Sequence, residues 1–160
     1  MLMTFDESIN ACKKIDGWKF VTSFSVGGLE WLGFSKESLN KMIIISSQKS
    51  TILDCSNGKL EDCTIGYDEE ELIALCDKLS NEQISIAGQY GGELPEITKQ
   101  GEQVLIQETN EHIKIVTFYD SNQKIKIFES YGLYTCGFSY DDNYFMIAND
   151  AGIIVLKRCC

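Results

Sequence analysis

A chain of 160 residues that is 44% hydrophobic, 24% charged and 11% aromatic has the composition of one globular domain, residues 1–160, and not of a disordered or low-complexity segment. Its formal charge of −10 repels a phosphate backbone or an anionic lipid surface, so neither nucleic acid nor membrane is expected as a partner. No apolar run approaches the roughly 18 residues of a membrane span, and Met1-Leu2-Met3-Thr4-Phe5-Asp6-Glu7 places acids where a secretory signal carries bases. A cytoplasmic chain follows as the expectation. Its seven cysteines, odd in number and irregular in spacing, read as free thiols in a reducing compartment.

Thr4-Phe5-Asp6-Glu7 is a capping-box pattern opening a short N-terminal helix that runs to about Lys14, with Phe5, Ile9 and Cys12 on one face. Asp16-Gly17 ends it, and Trp18 to Val26 alternates as a strand before the turn Gly27-Gly28. Leu29 to Gly33 leads through the polar turn Phe34–Asn40 into the apolar run Met42–Ile45, which suits a strand buried on both faces. Thr51 to Cys55 is a further strand. Asn57-Gly58 predicts a two-residue hairpin turn.

Over Asp68 to Leu79 the spacing predicts an amphipathic acidic helix. Leu72, Leu75, Cys76 and Leu79 repeat at i, i+3, i+4 and i+7, Asp68 stands at the N-cap, and Glu69, Glu70 and Glu71 fill the first turn. Beyond it come a strand over Ile84–Ala87 and the glycine-rich loop Gly88–Pro95. Alternating strands follow over Val104–Gln107, Ile113–Tyr119 and Lys124–Glu129, and then Tyr131–Phe138, Tyr144–Ala148 and Gly152–Lys157.

Two segments echo each other. Gly33-Phe34-Ser35 and Gly137-Phe138-Ser139 each precede a polar turn, an apolar strand, a small-residue turn and a second apolar strand. Met42-Ile43-Ile44-Ile45 aligns with Phe145-Met146-Ile147-Ala148, and Thr51-Ile52-Leu53 with Ile154-Val155-Leu156. This unit resembles a blade of a WD40-type β-propeller, without the Trp-Asp or Gly-His pairs, and the chain is too short for a complete propeller at roughly 40 residues per blade. The expected fold is therefore mainly β (α+β): an antiparallel sheet of two blade-like β-meanders, one amphipathic acidic helix and a short N-terminal helix. The order Gly33-Phe34-Ser35, then Ala87-Gly88 through Gly91-Gly92 to Leu94-Pro95, then Gly137-Phe138-Ser139 also resembles an uncharacterised family of small bacterial proteins. That resemblance implies a bacterial source and a compact fold, and no mechanism.

No catalytic apparatus is recognisable. The single histidine, His112, sits in Asn110-Glu111-His112, a turn, and no nucleophile elbow or papain-like context surrounds a serine or cysteine. Cys55 and Cys63 are eight apart and Cys159 and Cys160 adjacent, with no Cys-x-x-Cys, so neither a metal nor another cofactor is expected. Gly88–Pro95 lacks the lysine and the following helix of a phosphate-binding loop, so a tight bend next to a packed sheet is the favoured reading.

Charge is the strongest functional signal. Between Glu61 and Glu82 lie eight acids and one base, Lys78, a net −7 of the total −10. We read from this a non-catalytic protein-binding domain whose partner is basic, concretely a bacterial immunity protein that neutralises a cationic, nuclease-type toxin through Asp68, Glu69, Glu70, Glu71 and Asp77. The alternative is a small enzyme or ligand-binding domain built on Gly88, Tyr90, Gly91, Gly92 and Glu93, which requires a concave pocket at that loop. A structural or assembly subunit is the third class.

Overall fold

The computed structural model describes residues 2–159, with Ser80 and Asn81 as backbone; Met1 and Cys160, part of the expectations for the two ends, lie outside the described residues. In chain order the elements are α1 (Phe5–Cys12), β1 (Trp18–Phe24), β2 (Leu29–Phe34), β3 (Lys41–Ser46), β4 (Ser50–Asp54), β5 (Lys59–Cys63), β6 (Ile65–Asp68), β7 (Ile73–Cys76), β8 (Leu79–Ser85), β9 (Ala87–Gly88), β10 (Gln103–Glu108), β11 (Lys114–Tyr119), β12 (Lys124–Ser130), β13 (Leu133–Phe138), β14 (Tyr144–Asn149) and β15 (Gly152–Arg158). The described fold is mainly β, with four antiparallel sheets of order β1-β15-β14-β13, β10-β11-β12, β5-β4-β3-β2-β9 and β6-β7-β8. No helix among the described residues is long and apolar enough to cross a membrane.

Strand alternation sets the sheets face to face, because successive side chains point to opposite sides. In β14, Phe145 and Ile147 join Val116, Phe118 and Ile127 of the β10–β12 sheet in one core, which α1 closes with Cys12. Met146 and Ala148 of the same strand face Leu32, Met42 and Ile44 of the β2–β5 sheet. The other side of that sheet, through Trp31, Ile43, Ile45 and Ile52, meets Ala74, Cys76 and Ile84 of β7 and β8. Three cores thus join four layers, and the run Met42–Ile45 is buried on both faces. The first core holds Trp18, Phe118, Phe138 and Phe145 with ring centroids 5.1–5.9 Å apart, and each such aromatic pair contributes about 0.5–1.5 kcal/mol beyond its buried area.

The helix at the N-terminus forms because its capping box closes on both sides. The Glu7 amide donates to Thr4 Oγ1 at 3.1 Å, and the Thr4 amide donates to Glu7 Oε1 at 3.0 Å. In the β2–β3–β4 meander, Gly33 opposes Ile43 and Phe34 opposes Met42, while Met42 opposes Leu53. In the β13–β14–β15 meander, Gly137 opposes Met146 and Phe138 opposes Phe145, while Phe145 opposes Leu156. Both glycines lie under a crossing segment. A Cβ on Gly33 would stand 2.4 Å from the Ser85 carbonyl oxygen, and one on Gly137 would stand 2.6 Å from that of Pro95, too close for any side chain.

Two expectations are corrected. The acidic segment is not a helix: Asp68 ends β6, residues 69–72 turn, and β7 and β8 follow, so the only helix among the described residues is α1. Within β7 the buried residues are Ala74 and Cys76, whereas Leu75 is 56% exposed, a period of two that overrides the helical spacing. The decisive term is the apolar face of Trp31, Ile43, Ile45 and Ile52, which a strand covers. Asp68 still caps, but it caps a turn, its Oδ1 accepting from the amides of Glu70 (2.9 Å) and Glu71 (3.1 Å). At Asn57-Gly58 the reversal spans Cys55–Gly58, since Asp54 opposes Lys59 and only Gly58, at φ 78°, takes the left-handed conformation there.

Candidate functional site

The acids are divided by the change from helix to hairpin. Asp68, Glu69, Glu70 and Glu71 crowd one exposed turn between β6 and β7. Asp77 lies at the far end of β7, roughly 13 Å away for a four-residue strand, where its Oδ1 accepts the Thr64 amide at 3.0 Å. Beside Asp77, Lys78 is held by Glu61 at 3.1 Å and by the Asp62 carbonyl at 2.9 Å, and the hydrogen bond to Glu61 is the main cause that raises the ammonium's pKa. The turn carries four acids and no base.

Apolar surface adjoins that turn. Leu75 projects from the outer face of the β6–β8 sheet opposite Gly66, which has no side chain to cover it. A shallow depression of about 170 Å³ runs past Leu75, Ile73, Tyr67 and Asp68. Tyr67 is 40% exposed, and partial burial with the charges of Glu30 and Glu69 raises its phenol pKa. An apolar strip rimmed by carboxylates is what a basic, partly apolar protein surface would complement.

The glycine-rich loop is a tight bend against the packed sheet, as its sequence suggests. The Gly88 amide donates to the Gly91 carbonyl at 2.9 Å, and a Cβ on Gly88 or Gly92 would stand 2.1–2.2 Å from the carbonyl oxygens of Glu30 and Ile86. These glycines serve close backbone approach, and Tyr90 stands 83% exposed outside the fold. Gly92 and Glu93, but not Gly88, Tyr90 or Gly91, line a cleft of about 470 Å³ that also takes in Glu96, Gln103, Lys114 and Tyr134. Partial burial and then the charge of Glu93 raise the Glu96 carboxyl, and two carboxylates against one ammonium disfavour a phosphate there.

Several important groups escape sequence reasoning. Glu82, which reads as one more surface acid, is 7% exposed. It accepts the Ser35 hydroxyl at 2.6 Å and the amides of Lys36 and Glu37 at 2.5 and 3.3 Å. Glu102 is equally buried and takes the Thr98 hydroxyl and both terminal nitrogens of Arg158. The available signal was the turn Ser35–Ser38 itself, whose amides need an acceptor from somewhere. His112 stands exposed at φ 66°, 3.9 Å from Glu108, and burial pushes the thiols of Cys12 and Cys55 up to about 12, which leaves them unreactive. No protein-family model matches the chain, and no curated protein or solved structure matches it either.

Proposed function

We propose that the chain is a non-catalytic protein-binding domain whose acidic β6–β7 hairpin receives a basic partner, in its most concrete form a bacterial immunity protein masking a cationic, nuclease-type toxin in the cytoplasm. The observation that carries this reading is the pairing of Leu75, exposed on the outer face of the β6–β8 sheet, with the four acids of the adjoining turn. Charge complementarity steers encounter and rejects wrong partners, while the apolar strip supplies area to bury. Asp77, tied to the Thr64 amide, belongs to the rim of this surface. The matched registers of the two Gly-Phe-Ser meanders support reading them as two copies of one blade-like unit, with the acidic hairpin as the added, partner-facing element.

The test is affinity capture from the source cell's lysate with the wild type, Glu69→Lys/Glu70→Lys and Leu75→Ser. A basic protein retained at low salt, released at high salt and lost from both variants is the expected result. Capture unchanged by the charge reversal removes this face from the function. A second reading is favoured by the cleft at Glu93 and Glu96, whose carboxylates suit a small cationic or zwitterionic ligand. In that case a metabolite panel raises the melting temperature of the wild type and not of Glu93→Gln/Glu96→Gln.

A further inference from the structure

Cys63 closes β5 in one sheet, whereas Cys76 closes β7 in another and Asp77 follows it in the turn to β8. Their ligand atoms converge: the two Sγ atoms and a carboxylate oxygen of Asp77 all lie within 4.8 Å of one another. We propose that Cys63, Cys76 and Asp77 form a binding site for a zinc-type divalent cation, with two thiolates and one carboxylate as protein ligands and water in the fourth position.

Three observations carry it. The first is spacing. Tetrahedral zinc, with bonds of about 2.3 Å to sulfur and about 2.0 Å to oxygen, sets sulfur and oxygen ligands roughly 3.5 Å apart, and the Cys76 Sγ to Asp77 Oδ1 distance is 3.9 Å. The second is access, because Cys76 is 5% exposed and Cys63 half-buried, while Asp77 is open to solvent; an ion enters from the Asp77 side and keeps a water there. The third is support around the ligands. The Thr64 amide donates to Asp77 Oδ1 at 3.0 Å and so orients the carboxylate, in the manner of outer partners at metal sites. Soft thiolates with one carboxylate select zinc over magnesium or calcium, which take oxygen ligands.

The charges balance. Each thiol releases its proton to water as the cation binds, so one divalent ion replaces two protons, and the two thiolates, the carboxylate and the ion together carry one negative charge. Lys78, held mainly by Glu61, is also close enough to feel the charges of Asp77 and Cys63. The ion would join β5 to β7 across two sheets and close the loop that carries the acidic turn, and it stands independently of the identity of any partner.

The experiment uses the full chain with Cys159→Ser and Cys160→Ser, which removes the tail thiols, under a non-thiol reductant. Cobalt(II) is titrated as a spectroscopic probe, followed by displacement with zinc(II). One equivalent of cobalt with a thiolate charge-transfer band and tetrahedral d–d absorption is expected, along with a zinc-dependent rise in melting temperature. Cys63→Ser abolishes both. Asp77→Asn, at the surface, retains the fold and weakens zinc binding by about tenfold or more. Absence of stoichiometric uptake, or uptake unchanged in Cys63→Ser, overturns the site.

Discussion

The turns after β2 and after β13 begin with the same tripeptide, Gly-Phe-Ser, in the same strand register, yet they are held by different means. Ser139 solves its problem locally. Its hydroxyl donates to Asp141 Oδ1 at 2.7 Å and accepts the Tyr144 amide at 3.0 Å, while the same Asp141 accepts the Asn143 amide. Ser35 borrows its carboxylate from Glu82, 47 residues along the chain, which also takes two backbone amides. The second meander has a distant glutamate as well, but Glu102 reaches it only through Arg158, which lies over Trp18 and donates to the Asp142 carbonyl. Turn amides need an acceptor in either case. A local one makes a meander self-contained, and a borrowed one ties it to another sheet.

This contrast can be broken by substitution. The largest effect is expected at Glu102→Ala, about 4 kcal/mol in urea denaturation, because it leaves the guanidinium buried without its carboxylate. Adding Arg158→Met should recover much of that loss, since a buried ion pair is replaceable by apolar packing. Glu82→Ala is expected to cost about 3 kcal/mol, and replacing Ser35 does not rescue it, because the other two partners are the backbone amides of Lys36 and Glu37. Asp141→Ala should cost only about 1 kcal/mol. Equal losses at Glu82 and Asp141 would end the distinction between borrowed and local anchoring.

The smallest effect is one of pH. In the first meander, burial works against the Asp54 carboxylate, but hydrogen bonds from Ser56, Asn40 and Lys41 outweigh it and hold the pKa near about 2, below the ordinary 3.8. A depressed carboxyl stabilises the fold fully above the ordinary value, and that contribution is lost as pH falls from about 4 through about 2. The loss should stay below about 1 kcal/mol for a group in partial contact with water. Urea midpoints of wild type and Asp54→Asn should therefore differ at neutral pH and converge near pH 2; a constant difference would sink this assignment.

Legibility in the sequence followed the range of the interactions. The capping box of α1 and the turn at Asp120–Gln123 are local and readable, as are the apolar strands over Met42–Ile45 and Tyr144–Ala148. The acidic segment misleads because a twelve-residue window can present both a helical stripe and two short strands. What chooses between them is the apolar face of Trp31, Ile43, Ile45 and Ile52, supplied by a different part of the chain. The Gly88–Pro95 loop is placed at a cleft through Gly92 and Glu93, but two of the three groups that give the cleft its charge, Glu96 and Lys114, come from outside the glycine run. Glu82 reads as one acid among eight and is buried. Cys63 and Cys76 have no telling spacing, since they meet across two sheets.

The pairing of β1 with β15 has a consequence for synthesis. Trp18 is opposite Arg158, so β1 waits for a partner strand that follows it far along the chain. At about 5–20 residues per second, that interval is on the order of ten seconds. Throughout it β1 is an unpaired edge carrying Trp18 and Phe20, the kind of segment that associates with other nascent chains or is held by a chaperone. The β2–β5 meander can form early, but the aromatic core around Phe118, Phe138 and Phe145 cannot close until β15 is out of the ribosome and β1 docks beside it. Closure of that core therefore follows the β2–β5 meander, and the exposed β1 edge is the vulnerable stage between them.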